Sequence, residues 1–168
     1  MEQKLSFGCV EVGQTWKSPT RVVTESDVAS FASLTGDYDP LHMDHEFARN
    51  TPFGQPIVHG LLGVSLVAGL GSKSPSVQTV AFIGVRDWKF LRPLFFGDTV
   101  YVRTEVVEKC PHGRRRGVIH WKRQLLNQHE EVVQEGIFET MVSIAPTVPA
   151  PHASPSFSSV GSSVSSRV

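Results

Sequence analysis

Period-two alternation dominates the second half of the chain. Val100, Val102, Thr104 and Val106 alternate with Tyr101, Arg103, Glu105 and Val107, and Ile119, Trp121, Arg123 and Leu125 alternate with Val118, His120, Lys122 and Gln124. Such spacing predicts strands with two unlike faces, and strand character extends over about Thr79–Arg92, Thr99–Lys109, Arg115–Asn127 and Glu131–Ile144. His112-Gly113 and Asn127-Gln128-His129 read as hairpin connections. The first half follows a helical period instead. Val28, Phe31, Ala32 and Leu34 recur at three- and four-residue steps after a cap at Thr24 or Ser26, which predicts a helix stopped by Gly36. Asp44–Asn50 predicts a short helix with Asp44 as its N-cap. About Val58–Leu70 predicts a longer one, apolar nearly all round through Leu61, Leu62, Val64, Leu66, Val67 and Leu70, and therefore buried. Its small residues Gly60, Gly63, Ala68 and Gly69 would let strands approach closely. Ahead of these, QTWKSPTRVV predicts a short strand in which Pro19 favours an edge or bulge. The expected fold class is α+β, an antiparallel sheet wrapped around one long central helix. No G-x-G-x-x-G or G-x-x-x-x-G-K stretch suggests a nucleotide loop.

Composition narrows this little. A chain of 168 residues suffices for one domain, expected over residues 1–146. From residue 147 onward the 22 remaining residues hold eight serines, three prolines and one charged side chain, a composition expected to stay disordered. Sixteen basic residues balance sixteen acidic ones, so neither nucleic acid nor an anionic membrane surface is the expected partner. No segment reaches the roughly 18 apolar residues of a membrane span, and the N-terminal residues do not read as a signal peptide. The two cysteines, Cys9 and Cys110, form no metal-ligand spacing, which suits reduced thiols and a cytoplasmic location.

The chemistry gathers between Phe31 and Gly71. Gly36-Asp37-Tyr38-Asp39-Pro40-Leu41-His42 places a carboxylate and an imidazole five residues apart on a turn-forming segment. Seventeen residues after His42, His59-Gly60 opens the long apolar helix, whose free amides would point toward that turn. Carboxylate and imidazole supply a general acid and base, and the Gly60 amide an oxyanion donor, so the parts suit proton transfer next to a carbonyl. Plainer roles fit the same residues: Asp37 and Asp39 as acceptors for their own turn, His59 as a buried structural histidine, Gly60 and Gly63 as close-packing positions.

TGDYDPLHMD, the short HEFA helix and FGQPIVHGLL together resemble the signature of the MaoC-like dehydratases, the family of (R)-specific enoyl-CoA hydratases, which has the hotdog fold. Phe31, Leu34, Gly36, Asp37, Pro40, Leu41, His42 and Ala48 fill the family's pattern, while Asp39 stands where Asn is usual. WKFLRPLFFGDTVYVRTEVVEK, from Trp88 to Lys109, resembles a second family region. The resemblance implies reversible hydration of a trans-2-enoyl-CoA to an (R)-3-hydroxyacyl-CoA. Asp37 and His42 would hold the water, and the Gly60 amide the thioester oxygen. No cofactor or metal is implied. Val64, Ser65 and Ala68 would line the acyl chain, and Arg86 and Lys89 would meet coenzyme A phosphates ahead of Arg92 and Arg114–Arg116. The implied assembly is a homodimer or a dimer of dimers. A 3-hydroxyacyl-carrier-protein dehydratase, a hydratase for a branched or dicarboxylic thioester, a hotdog thioesterase and a non-catalytic acyl-thioester-binding module remain open at this point.

Overall fold

The computed structural model describes residues 4–144; the Ser-rich segment expected to be disordered, residues 147–168, lies outside them. The elements run β1 (Thr15–Lys17), β2 (Arg21–Val22), α1 (Glu25–Thr35), α2 (Pro40–Met43), α3 (His45–Arg49), α4 (Gly60–Gly71), β3 (Thr79–Phe90), β4 (Thr99–His112), β5 (Arg116–Leu126) and β6 (Val132–Ser143). Pro19 separates β1 from β2, and both pair with β4 because Ser18 bridges the gap: its amide donates to the Val102 carbonyl and its hydroxyl accepts from the Val102 amide, each at 2.9 Å. Thr24 is the cap of α1. Its hydroxyl accepts from the Asp27 amide while the Asp27 carboxylate accepts from the Thr24 amide, a reciprocal capping box. Gly36 ends the helix at φ 80°, a left-handed conformation that glycine adopts without steric cost.

The sheet is antiparallel with strand order β1-β4-β5-β6-β3, β2 lying off this path against β4. Its concave face carries Val102, Val106, Ile119, Trp121, Leu125 and Phe138, which close over Leu62, Leu66 and Val67 of α4 in one core. Full burial of each such side chain stabilises by roughly 1.5–3 kcal/mol. The expectation that α4 is buried all round needs correction. Leu61 is 65% exposed, and Ser65, Ala68 and Gly69 are also exposed, because the sheet curls over one side of the helix and leaves the other beside the free edge at β3. That edge carries Val80, Phe82, Ile83, Val85 and Phe90, all exposed. Among the described residues no helix is long and apolar enough to cross a membrane.

Candidate active site

Gly36 reverses the chain out of α1 and delivers Asp37 into an open turn. Asp39 then caps α2, its carboxylate accepting from the Leu41 amide at 2.8 Å and its carbonyl from the His42 amide at 2.9 Å. An Asp at this position therefore makes the same capping acceptor contact that an Asn oxygen would make. Pro40 occupies the first helical position, where its missing N–H is not needed. One turn later His42 emerges, and Asp44 caps α3 by accepting from the amides of Glu46 and Phe47. Ala48 from α3 is fully buried beneath the turn.

His42 and His59 form a stacked pair, with ring centroids 3.9 Å apart at 31°. Nδ1 of His42 donates to the Ile57 carbonyl at 2.7 Å, which leaves Nε2 as its nitrogen for exchange with a ligand. His59 is 2% exposed, donates from Nε2 to the Asp37 carbonyl at 2.9 Å and lies 3.7 Å from the Asp37 carboxylate. Its Nδ1 is buried without a partner, and Phe31 of α1 packs against its ring at 5.1 Å. His59 thus ties the Asp37 turn to the start of α4 while backing the His42 ring. The reading of His59 as simply a satisfied structural histidine holds for only one of its two nitrogens.

Gly60 begins α4 with no side-chain cap on its first turn, so the helix presents free amides at this end. A Cβ on Gly60 would sit 2.9 Å from the Phe90 ring, so any larger residue between His59 and β3 requires that exposed ring to move. Gln134 of β6, 3% exposed, locks the turn: its Nε2 donates to the Gly60 carbonyl at 3.1 Å and its Oε1 accepts from Trp88 at 3.3 Å. Sequence reasoning passed over Gln134; an inward polar residue in the apolar register of β6 was the available signal. Beside Gly60 opens a cavity of about 320 Å³ lined by Phe53, Ile57, Phe90, Leu91 and Leu94.

A carboxylate oxygen of Asp37 and ring nitrogens of His42 and His59 lie within 4.8 Å of one another. That span suits a water hydrogen-bonded to two of them at about 2.8 Å each. The three also form a candidate metal donor set, and the bond from one nitrogen of each imidazole to a backbone carbonyl fixes its tautomer, as either proton transfer or ligation through the other nitrogen requires.

A family model described as a MaoC like domain matches residues 9–125. The chain belongs to the MaoC-like dehydratase family. It is 39% identical over 112 residues to the 3-hydroxybutyryl-CoA dehydratase of Methylorubrum extorquens, a match covering 66% of this chain and 69% of that protein. It is 40% identical over 103 residues to the (R)-specific enoyl-CoA hydratase of Aeromonas caviae, covering 61% and 75%. The crystal structure of the MaoC-like dehydratase from Rhodospirillum rubrum superposes with a TM-score of 0.75 at 28% identity, over 84% of this chain and 99% of that one. A Mycobacterium tuberculosis protein with a double hotdog fold gives a TM-score of 0.76 at 21% identity, over 90% and 53%. The fold of this MaoC-like domain is the hotdog, as its sequence resemblance implied.

The remaining site candidates are dispersed. Val64 packs against the core, Ser65 is exposed with its hydroxyl donating to the Leu61 carbonyl, and Ala68 is exposed at the mouth of a second, smaller cavity. Arg86 and Lys89 lie on the convex face, away from α4. Arg86 pairs with Glu139 at 2.6 Å and lies 3.2 Å from Nδ1 of His120, while Lys89 borders a depression with Lys122 and Glu135. The fold of a single chain does not bring these two to the Asp37 turn: Arg86 faces outward in the regular register opposite Ile137, and the register break with the positive φ of Asp87 turns Lys89 outward as well, opposite Glu135.

Proposed function

We infer that the protein is a hydro-lyase of acyl thioesters, hydrating trans-2-enoyl-CoA to (R)-3-hydroxyacyl-CoA and reversing that step. The observation that carries the reading is the Asp37–His42 turn held against the uncapped start of α4, together with the activities named for its relatives from M. extorquens and A. caviae. A water held between Asp37 and His42 adds to the β-carbon. One of the two groups removes its proton while the other protonates the α-carbon, and the developing enolate oxygen rests on the Gly60 amide. In dehydration each group works in reverse. His59 orients both members of the pair and Gln134 orients the Gly60 peptide.

The reading includes a twofold homodimer. The exposed apolar edge at β3 is the kind of edge that pairs with a second copy, and pairing there would also cover the open side of α4. It also includes action in the cytoplasm, which the unpaired Cys9 and Cys110 suit. The test is to incubate the purified chain with crotonyl-CoA and follow loss of the conjugated double bond, with a parallel free-thiol measurement. Hydration without thiol release is expected; thiol release alone means a thioesterase, and neither signal means the reading is wrong.

A further inference from the structure

Arg123 of β5 points into the core alongside Ile119, Trp121 and Leu125, and is 6% exposed. Its Nη2 donates to the Gly71 carbonyl at 3.1 Å and its Nη1 to the Val67 carbonyl at 3.5 Å, at the C-terminal end of α4. The guanidinium lies 5.0 Å over the Phe138 ring. Gly71 makes room for it, since a Cβ there would stand 2.6 Å from Nη1. A guanidinium has five N–H donors, and here Nε–H is buried with no acceptor. Among the described residues no carboxylate forms an ion pair with it. Burial lowers its pKa to about 10, so it still carries its charge at neutral pH.

A cavity of about 110 Å³ lies against this cation, walled by Ala68, Ser72, Phe82, Trp121, Arg123 and Thr140. Thr140, 6% exposed, accepts from the Trp121 indole at 2.7 Å, so its own hydroxyl proton remains to donate. The polar equipment of the chamber is therefore the Arg123 cation with the hydroxyls of Thr140, Thr79 and Ser72, the last of which donates to the Gly69 carbonyl, while the rest of its wall is apolar. A ligand that satisfies it brings acceptors, a negative charge and a hydrocarbon stem, which describes a carboxylate at the end of an alkyl chain.

The chamber is also in line with the proposed chemistry. Ala68 is eight residues from Gly60 on the same helix, about 12 Å along its axis, and the exposed side of α4 connects the two. With C–C bonds of about 1.5 Å, roughly ten carbons of extended chain cover that distance.

We propose that the chamber at the C-terminal end of α4 is a carboxylate subsite, and that the protein accepts medium-chain acyl thioesters bearing a second, terminal carboxyl group. The assignment of the ligand as substrate rests on the hydratase reading; the anion subsite itself rests on Arg123 and the cavity.

The test compares trans-2-decenedioyl-CoA with trans-2-decenoyl-CoA, which differ only in carrying a carboxylate or a methyl at the far end. Wild type is expected to favour the dicarboxylic substrate by about ten-fold or more in kcat/KM, and Arg123→Met to abolish or invert that ratio. If Arg123→Met does not fold, Ala68→Leu, which fills the chamber mouth and leaves Arg123 in place, is expected to reduce the ratio by about ten-fold. A wild-type ratio at or below one, or a ratio that the folded variant leaves unchanged, overturns the proposal. Calorimetric binding of the saturated analogues, decanedioyl-CoA against decanoyl-CoA, separates the two readings. Tighter binding of the dicarboxylic form by a protein that hydrates no enoyl-CoA leaves the subsite standing and removes the hydratase. Equal binding of the two removes the subsite whatever the activity. Acetate that protects wild type against heat as well as decanedioyl-CoA does would mark the chamber as a site for free small anions and also overturn the assignment.

Discussion

Replacing Gly63 by Ala sets two physical effects against each other on one helix. By helix propensity alone the change stabilises, by about 1 kcal/mol. The packing says otherwise, because a Cβ at position 63 would stand 2.7 Å from Cδ of Gln134, a buried side chain whose amide is held at both its nitrogen and its oxygen. Forcing it aside costs about 1–3 kcal/mol for overpacking. Breaking its bonds to the Gly60 carbonyl and the Trp88 indole leaves buried groups unsatisfied, for about 1–3 kcal/mol more. The net expectation is a loss of about 1–5 kcal/mol, centred near 3. At about 4 °C per kcal/mol for a domain of this size, Tm falls by about 12 °C. Gly69→Ala is the control, since a Cβ there meets nothing within 4 Å and only the propensity gain remains. Urea and thermal unfolding of the wild type and both variants decide the matter. If Gly63→Ala is as stable as Gly69→Ala, the Gln134 lock on the first turn of α4 does not exist.

Asp37→Asn and His42→Ala are each expected to lower kcat by roughly 100-fold or more with the far-ultraviolet dichroism unchanged, and the double variant to be little worse than either; near wild-type hydration by Asp37→Asn refutes their pairing. Ala68→Leu should shift kcat/KM toward shorter acyl groups by about 1–3 kcal/mol, read on four-, six- and eight-carbon enoyl-CoAs; an unchanged profile removes Ala68 from the acyl path. Tyr101 is pushed up to about 12 by burial and by donating to the Glu130 carboxylate. Because its folded pKa is raised, its contribution to stability is complete below about pH 10 and is lost as pH climbs toward 12. Ultraviolet titration in a Tyr38→Phe background should show that late phenolate, and Glu130→Gln should bring it down. Light scattering should find a dimer at micromolar concentration that Phe82→Glu on the β3 edge splits; a monomeric wild type counts against the edge pairing.

Local spacing determined most of the elements. Thr24 and Asp27 carry their capping box within four residues, Gly36 stops α1 because of its own backbone freedom, and the period-two pattern of β4, β5 and β6 persists because each strand has one buried face. The Asp37–His42 turn was legible for the same reason, since its caps and acceptors lie within a few residues of one another. Alternation even set Arg123 in the row of Ile119, Trp121 and Leu125, but a row cannot say what a buried cation meets. Its carbonyl partners are 52 and 56 residues away, on a helix whose distance from β5 exists only once the sheet has curled. Only the tertiary structure likewise decided that His59 stacks on His42, that Gln134 of β6 fastens the Gly60 peptide, and that Lys89 leaves the concave face at a bulge. The exposure of α4 follows the same rule. Its composition is apolar on every side, yet which side is covered depends on where the sheet's edge falls, and that is set by the pairing of strands far apart in the chain.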